Sequence, residues 1–138
     1  MEGMVVVEKK YPIDLKEELR RIVKKYFKPR DLEVSIRESS PVGYYFYARF
    51  KEEIGGKMVR VTIDILSNSV VDVNDLVKEK ARIFKKIKKI LEKEDFNDAE
   101  IEFSNFFITM DIEEISVEAS RKLISLVWDK VQRLYFWG

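Results

Sequence analysis

Between Lys78 and Lys89 the chain carries seven cations, Lys78, Lys80, Arg82, Lys85, Lys86, Lys88 and Lys89, against the single acid Glu79, a local net charge of +6. Ammonium and guanidinium groups at this density can neutralise several phosphates, with an affinity that falls steeply as salt is added. A second group suited to similar chemistry lies earlier. Tyr45, Tyr47, Arg49 and Arg60 alternate with apolar residues in two strand-like runs, and Arg37 and Lys51 share their parity. Aromatic rings beside guanidinium groups on a flat sheet can stack unpaired bases and hold phosphates. A plainer reading competes with both. Lysine-rich helix faces are usually solvated, and Tyr–Arg neighbours across strands stabilise a sheet by about 0.2–1 kcal/mol each. Glu33 and Asp64 share the sheet face and dilute its charge.

A third group is aromatic. Trp128, Tyr135, Phe136 and Trp137 lie close together near the end of the sequence. Aromatic side chains anchor protein interfaces more often than chance, and contiguous exposed apolar surface marks interaction sites. Trp128 neighbours Val127 and Val131 in an apolar stripe, which predicts packing within the domain for that residue; Trp128 and Tyr135, seven apart, would share one side of a helix.

Catalysis finds little to use. The chain has no cysteine and no histidine. That removes thiolate nucleophiles, cysteine zinc sites, iron–sulfur clusters and disulfides, together with the usual near-neutral base. Carboxylates remain, but their placement is unhelpful. Asp64 is the only acid in its strand, with no Glu-x-Lys after it, and Glu8-Lys9-Lys10 stands in the wrong order for a metal-dependent nuclease core. Glu52 and Glu53 are adjacent in a strand and point to opposite faces. Asp72 and Asp75 suit a helix start, where acids meet the positive dipole end, and Glu113-Glu114 reads as a loop before a helix. Gly55-Gly56 is followed by no Lys-Ser or Lys-Thr and reads as a turn, not a phosphate loop. The expectation is a non-enzymatic protein without cofactor or metal.

The elements that must position these groups follow from periodicity. Val5 to Val7 form a short strand or arm. Pro12-Ile13-Asp14 opens a helix, with Asp14 as cap, Glu17 as its capping-box partner and Leu15, Leu19, Ile22, Val23, Tyr26 and Phe27 at helical spacing; Pro29 ends it. Three runs of period two follow, built on Leu32, Val34 and Ile36, then Phe46, Ala48 and Phe50, then Val59, Val61, Ile63 and Ile65. Turn residues near Pro41 and at Gly55-Gly56 separate them into an antiparallel meander. Asp72 to Asn74 opens a long helix whose stripe is Leu76, Val77, Ala81, Phe84, Ile87, Ile90 and Leu91. From Glu100 to Ile112 the chain is strand again, but the apolar parity flips after Phe103, so Ser104-Asn105 is a bulge or a tight turn. Ser116 caps a last helix carrying Leu123, Ile124, Val127, Val131 and Leu134.

The predicted class is α+β: one domain over residues 1–138, a two-layer sandwich of an antiparallel sheet of four to five strands and three helices, in the order α-β-β-β-α-β(β)-α. The stretch from Asp14 to Lys93 is similar in order to double-stranded-RNA-binding domains, and the longer form to secretion-chaperone-like folds. An order of elements without a diagnostic motif assigns no family. With 138 residues and 46% apolar content, a core needs no staple. Basic and acidic residues, 26 against 25, nearly cancel, and with one glutamine the composition resembles that of hyperthermophile proteins. No run reaches the roughly 20 apolar residues of a membrane span, and Met1 to Val7 does not resemble a signal peptide, so a cytoplasmic protein is expected. The leading expectation is an interaction protein that forms a homodimer through Trp128, Tyr135, Phe136 and Trp137 or through an open sheet face. The alternative is a nucleic-acid-binding domain that uses the lysine-rich helix together with Tyr45, Tyr47, Arg49 and Arg60.

Overall fold

The computed structural model describes residues 15–39, 43–128 and 131–137. Val5 to Val7 and the Pro12-Ile13-Asp14 helix start lie outside the described residues. Helix α1 covers residues 15–26, and Leu19, Ile22 and Val23 bury its apolar stripe.

The three alternating runs become β1 (Arg30–Ser39), β2 (Gly43–Ile54) and β3 (Lys57–Ser67), paired antiparallel in chain order. Register is set by alternation, because a slip of one residue would turn every apolar side chain to water. Ala48 therefore lies between Val34 and Ile63, and Tyr47 between Ser35 and Asp64. Gly55 and Gly56, both at positive φ (58° and 83°), make the two-residue turn between β2 and β3. Gly43 has φ +128°, and a Cβ there would stand 2.5 Å from the Ser67 carbonyl oxygen, so only glycine lets β2 begin so close to the end of β3.

Helix α2 (Val70–Leu91) starts earlier than the acids at 72 and 75 suggest. Its cap is Ser69, whose hydroxyl accepts from the Val71 and Asp72 amides at 3.1 and 3.4 Å, and Asp72 instead sits in the first turn, favourable to the helix dipole. This helix carries the chain back along the sheet, so β4 (Asp98–Phe103) joins β3 in parallel. Strand β5 (Ile108–Glu113) returns antiparallel. Residues 104–107 are thus the tight turn of the two alternatives, and Asn105 locks it by bonding both the amide and the carbonyl of Leu66 at 2.9 Å.

Ser116 caps α3 (Val117–Val127), as its position predicts, accepting from the Ala119 amide at 3.1 Å. The helix then stops. Val131 and Leu134 do not continue it: Val131–Trp137 is a sixth strand, β6, parallel to β5. The reason is tertiary. Beyond β5 the sheet offers a row of unpaired backbone groups, and Val-Gln-Arg-Leu-Tyr-Phe-Trp is rich in residues that suit a pleated surface. Leu134 and Phe136, two apart, pack against the core while Tyr135 between them is exposed. The α+β class stands, but the sheet has six strands and is mixed. Both parallel pairs follow from a helical crossover, which returns the chain to the same end of the sheet.

All three helices lie on one side of the sheet. Its inward residues include Phe46, Phe50, Val61, Ile63, Ile101, Phe103, Met110 and Ile112, each at most 2% exposed. Phe27, just past α1, contacts Phe50 of β2 at 5.1 Å and Phe84 of α2 at 5.5 Å between ring centroids, and Phe84 meets Phe103 of β4 edge-on at 6.2 Å. Such pairs add to the burial of their rings. Phe84→Ala is expected to cost about 3–5 kcal/mol by urea denaturation, as large-to-small changes in a closed core do. Phe106→Ala, at a side chain 85% exposed, is expected to stay within about 0.5 kcal/mol.

Candidate functional site

The sheet positions one set of polar residues and the helices another, on opposite sides. On the open side the register aligns Arg37 with Tyr45 and Leu66, Arg49 with Thr62, and Lys51 with Arg60. Tyr45, Tyr47, Arg49 and Arg60 do share this side, as alternation predicts. The Arg37 guanidinium stacks on the Tyr45 ring at 4.7 Å. Lys51 and Arg60 are like charges directly opposite each other, which by itself destabilises a sheet. Acids answer them: Arg60 pairs with Asp98 at 2.8 Å and Glu100 at 3.7 Å, and Lys51 reaches Asp31 at 3.9 Å. Asp31 has φ 56° at a register shift in β1, a bulge that ends regular pairing with β2.

Further across, the sign changes. The outward positions of β4 and β5 are Asp98, Glu100, Glu102, Thr109, Asp111 and Glu113, with no cation among them. The open face is therefore uneven: on β1 to β3 the cations Arg37, Arg49, Lys51 and Arg60 stand among Glu33, Glu53 and Asp64 and two tyrosines, while β4 and β5 present five carboxylates.

The lysine-rich helix lies on the covered side. Its run of cations is split by the helix's own geometry. Val73, Val77, Phe84, Ile87 and Leu91 form the core stripe, and Lys80 falls within it. Lys80 is 3% exposed, and its ammonium donates to Glu79 Oε1 at 3.1 Å and to the Asn105 carbonyl at 3.3 Å. Lys88 donates to Glu52 Oε1 at 2.8 Å, and Glu52 is a carboxylate on an inward position of β2. Both lysines hold the fold together: one ties α2 to the β4–β5 turn, the other ties α2 to β2. Lys78, Arg82, Lys85, Lys86 and Lys89 remain exposed. The Tyr/Arg face and these exposed cations are separated by the thickness of the sheet and its helices, so they do not form one surface.

The aromatic group divides as well. Trp128 follows α3 and is 75% exposed, not packed in a stripe. Phe136 is half-buried against the core, Tyr135 is exposed on the open side, and the backbone of Trp137 pairs with Glu113. Two other aromatics stand out instead. Alternation counts Phe106 with Ile108, Met110 and Ile112 on the inward face of the strand, but Phe106 and Phe107 lie in the β4–β5 turn and are exposed at the same end of the sheet as Trp128, since β5 and β6 begin side by side at Ile108 and Val131. Phe106 also lines a hollow of about 570 Å³ with Leu66, Leu76, Asp72 and Asp75.

Among the described residues no group of three acids could hold a metal ion, and no helix is long and apolar enough to cross a membrane. No protein-family model, curated protein or solved structure matches the chain.

The buried Glu52–Lys88 pair distinguishes structural from solvated lysines. Removing one partner of such a pair strands the other. Lys88→Met is expected to cost about 1–3 kcal/mol, whereas Lys86→Met, two residues away and exposed, is expected to change stability by less than about 0.5 kcal/mol. Thermal melts of the two variants beside the parent check this.

Proposed function

We propose that this protein is a non-catalytic interaction module that pairs with a second copy of itself through the open face of its sheet. The observation that carries this reading is the uneven charge, four cations nearly balanced by three acids on β1 to β3 and five carboxylates on β4 and β5, of a face that none of the three helices covers. A two-fold axis running between two such sheets, parallel to the strands and over the β3–β4 seam, sets the strands that carry the cations in each copy against the carboxylates of the other. One self-complementary patch then serves both partners, as a two-fold interface requires. Size supports it. Six strands at about 4.8 Å spacing and about 20–40 Å long give a patch of the order of the roughly 800 Å² per partner that a specific interface buries. Tyr45, Tyr47 and Tyr135 supply amphipathic contact area that suits a wet, polar interface.

The nucleic-acid reading of the same face is weaker. A phosphate chain crossing the sheet would meet the carboxylates of β4 and β5 after the cations of β1 to β3. The tail aromatics also lose their claim as a single patch, because Phe136 turns inward and Trp128 stands on another element.

Light scattering on a sizing column is expected to give a dimer that weakens with salt. R49E/K51E makes both halves acidic and E100R/E102R/D111R, which leaves Asp98 and Glu113 against three arginines, makes both basic, so each variant alone is expected to be a monomer. Mixed in equal amounts they are expected to form a heterodimer. A parent that stays monomeric at high concentration refutes the proposal. So does a dimer that survives both charge variants and is lost on F106A/W128A, which would put the interface at the aromatic end.

A further inference from the structure

A cleft of about 490 Å³ opens on the covered side, between the end of α1 and the middle of α2, beside Glu52 near the end of β2. Its walls are not those of a solvated helix face. Cations converge on it from two elements: Lys28, just past α1, and Lys78, Arg82, Lys85 and Lys88 of α2. Positions 78, 82 and 85 are spaced four and three apart and so form one row along the helix. The row is about 10 Å long at 1.5 Å per residue. The lone acid in the lining is Glu52, and its carboxylate is already engaged, by Lys88 Nζ at 2.8 Å and by the Lys28 amide at 3.4 Å. The buried carboxylate thus fixes one ammonium at the cleft floor and leaves the other four cations in excess. The remaining lining is apolar or aromatic: Ala81, the Phe84 ring and Tyr26, whose hydroxyl is held by Asn74 Oδ1 at 3.1 Å.

We propose that this cleft is a binding site for a phosphate chain: a ligand with two or more phosphate groups in a row, carried by an oligonucleotide or by inorganic polyphosphate. A concave site surrounded by one sign of charge focuses the field more than a convex face does. The row of cations matches phosphates that follow one another, and the fixed Lys88 supplies a point of reference on which the flexible side chains close. The site lies on the side of the sheet opposite the proposed dimer surface and does not depend on it.

The test uses the full chain, a fluorescently labelled single-stranded oligonucleotide and unlabelled tripolyphosphate. Anisotropy is expected to report binding that weakens by roughly 10- to 100-fold between about 50 mM and about 200 mM salt. Tripolyphosphate is expected to displace the oligonucleotide. R82E/K85E, in the cleft, is expected to weaken binding by roughly 10-fold or more, while K86E/K89E, with the same change of net charge outside the cleft lining, is expected to weaken it less than about 3-fold. Circular dichroism and thermal melts confirm that both variants fold; all four positions are exposed, so little loss of stability is expected. Equal losses in the two variants would overturn the site in favour of diffuse attraction. An absence of binding at low salt, or an oligonucleotide that tripolyphosphate does not displace, would overturn the phosphate-chain proposal.

Discussion

The contact of four phenylalanine rings is the constraint that the rest of the structure depends on. Phe27, Phe50, Phe84 and Phe103 come from the end of α1, from β2, from α2 and from β4. Among the described residues their contacts run unbroken from α1 through β2 and α2 to β4, and they fix α1 and α2 on the same side of the sheet. That single choice decides which surfaces face water. With the helices gathered on one side, the other side of six strands is left to polar residues, and its pattern of charge becomes a surface property. The same choice puts α1 and α2 side by side over β2, where the cleft opens.

Two charged residues show how the core shapes its margins. Burying an ammonium or a carboxylate is tolerable only with partners. Lys80 has a carboxylate and a carbonyl, and Glu52 has a lysine and a backbone amide. Among the described residues, no buried polar side-chain atom lacks a hydrogen-bond partner. The lysine run of α2 is therefore a mixture: two cations act as fasteners, and of the five exposed ones Lys78, Arg82 and Lys85 line the cleft while Lys86 and Lys89 do not. A local net charge alone does not separate these roles.

Much of the fold was legible because one face of each element is buried. Alternation in β1, β2 and β3 gave both the strands and the side on which Tyr45, Arg49 and Arg60 stand. The helical stripe of α2 was equally plain, and Ser116 marked the cap of α3. The failures have a common origin in tertiary context. Val131 and Leu134 fit a helical stripe three apart as well as Leu134 and Phe136 fit a strand two apart, and only the unpaired edge of β5 decides between them. The role of Lys80 could have been found, since it falls three and four residues from Val77 and Phe84 on the inward stripe. Glu52 carried the same signal by sharing the parity of Phe50. The uneven charge of the open face was hidden for a different reason: it needs the order of strands in the sheet, and a parallel crossover is not visible in the alternation of either strand it joins.

That order has one more consequence. The six strands stand in the sheet in the sequence in which they occur in the chain. Among the described residues no strand has to be inserted between two that are already paired, and no pairing spans more than one helix. Chains with such local wiring meet a smaller entropy barrier to closing each contact than chains whose sheets are interleaved. The sheet can grow strand by strand from either end, and the kinetics of folding should resemble those of a mixed α/β domain with modest contact order rather than those of a sandwich whose strands exchange partners across long loops.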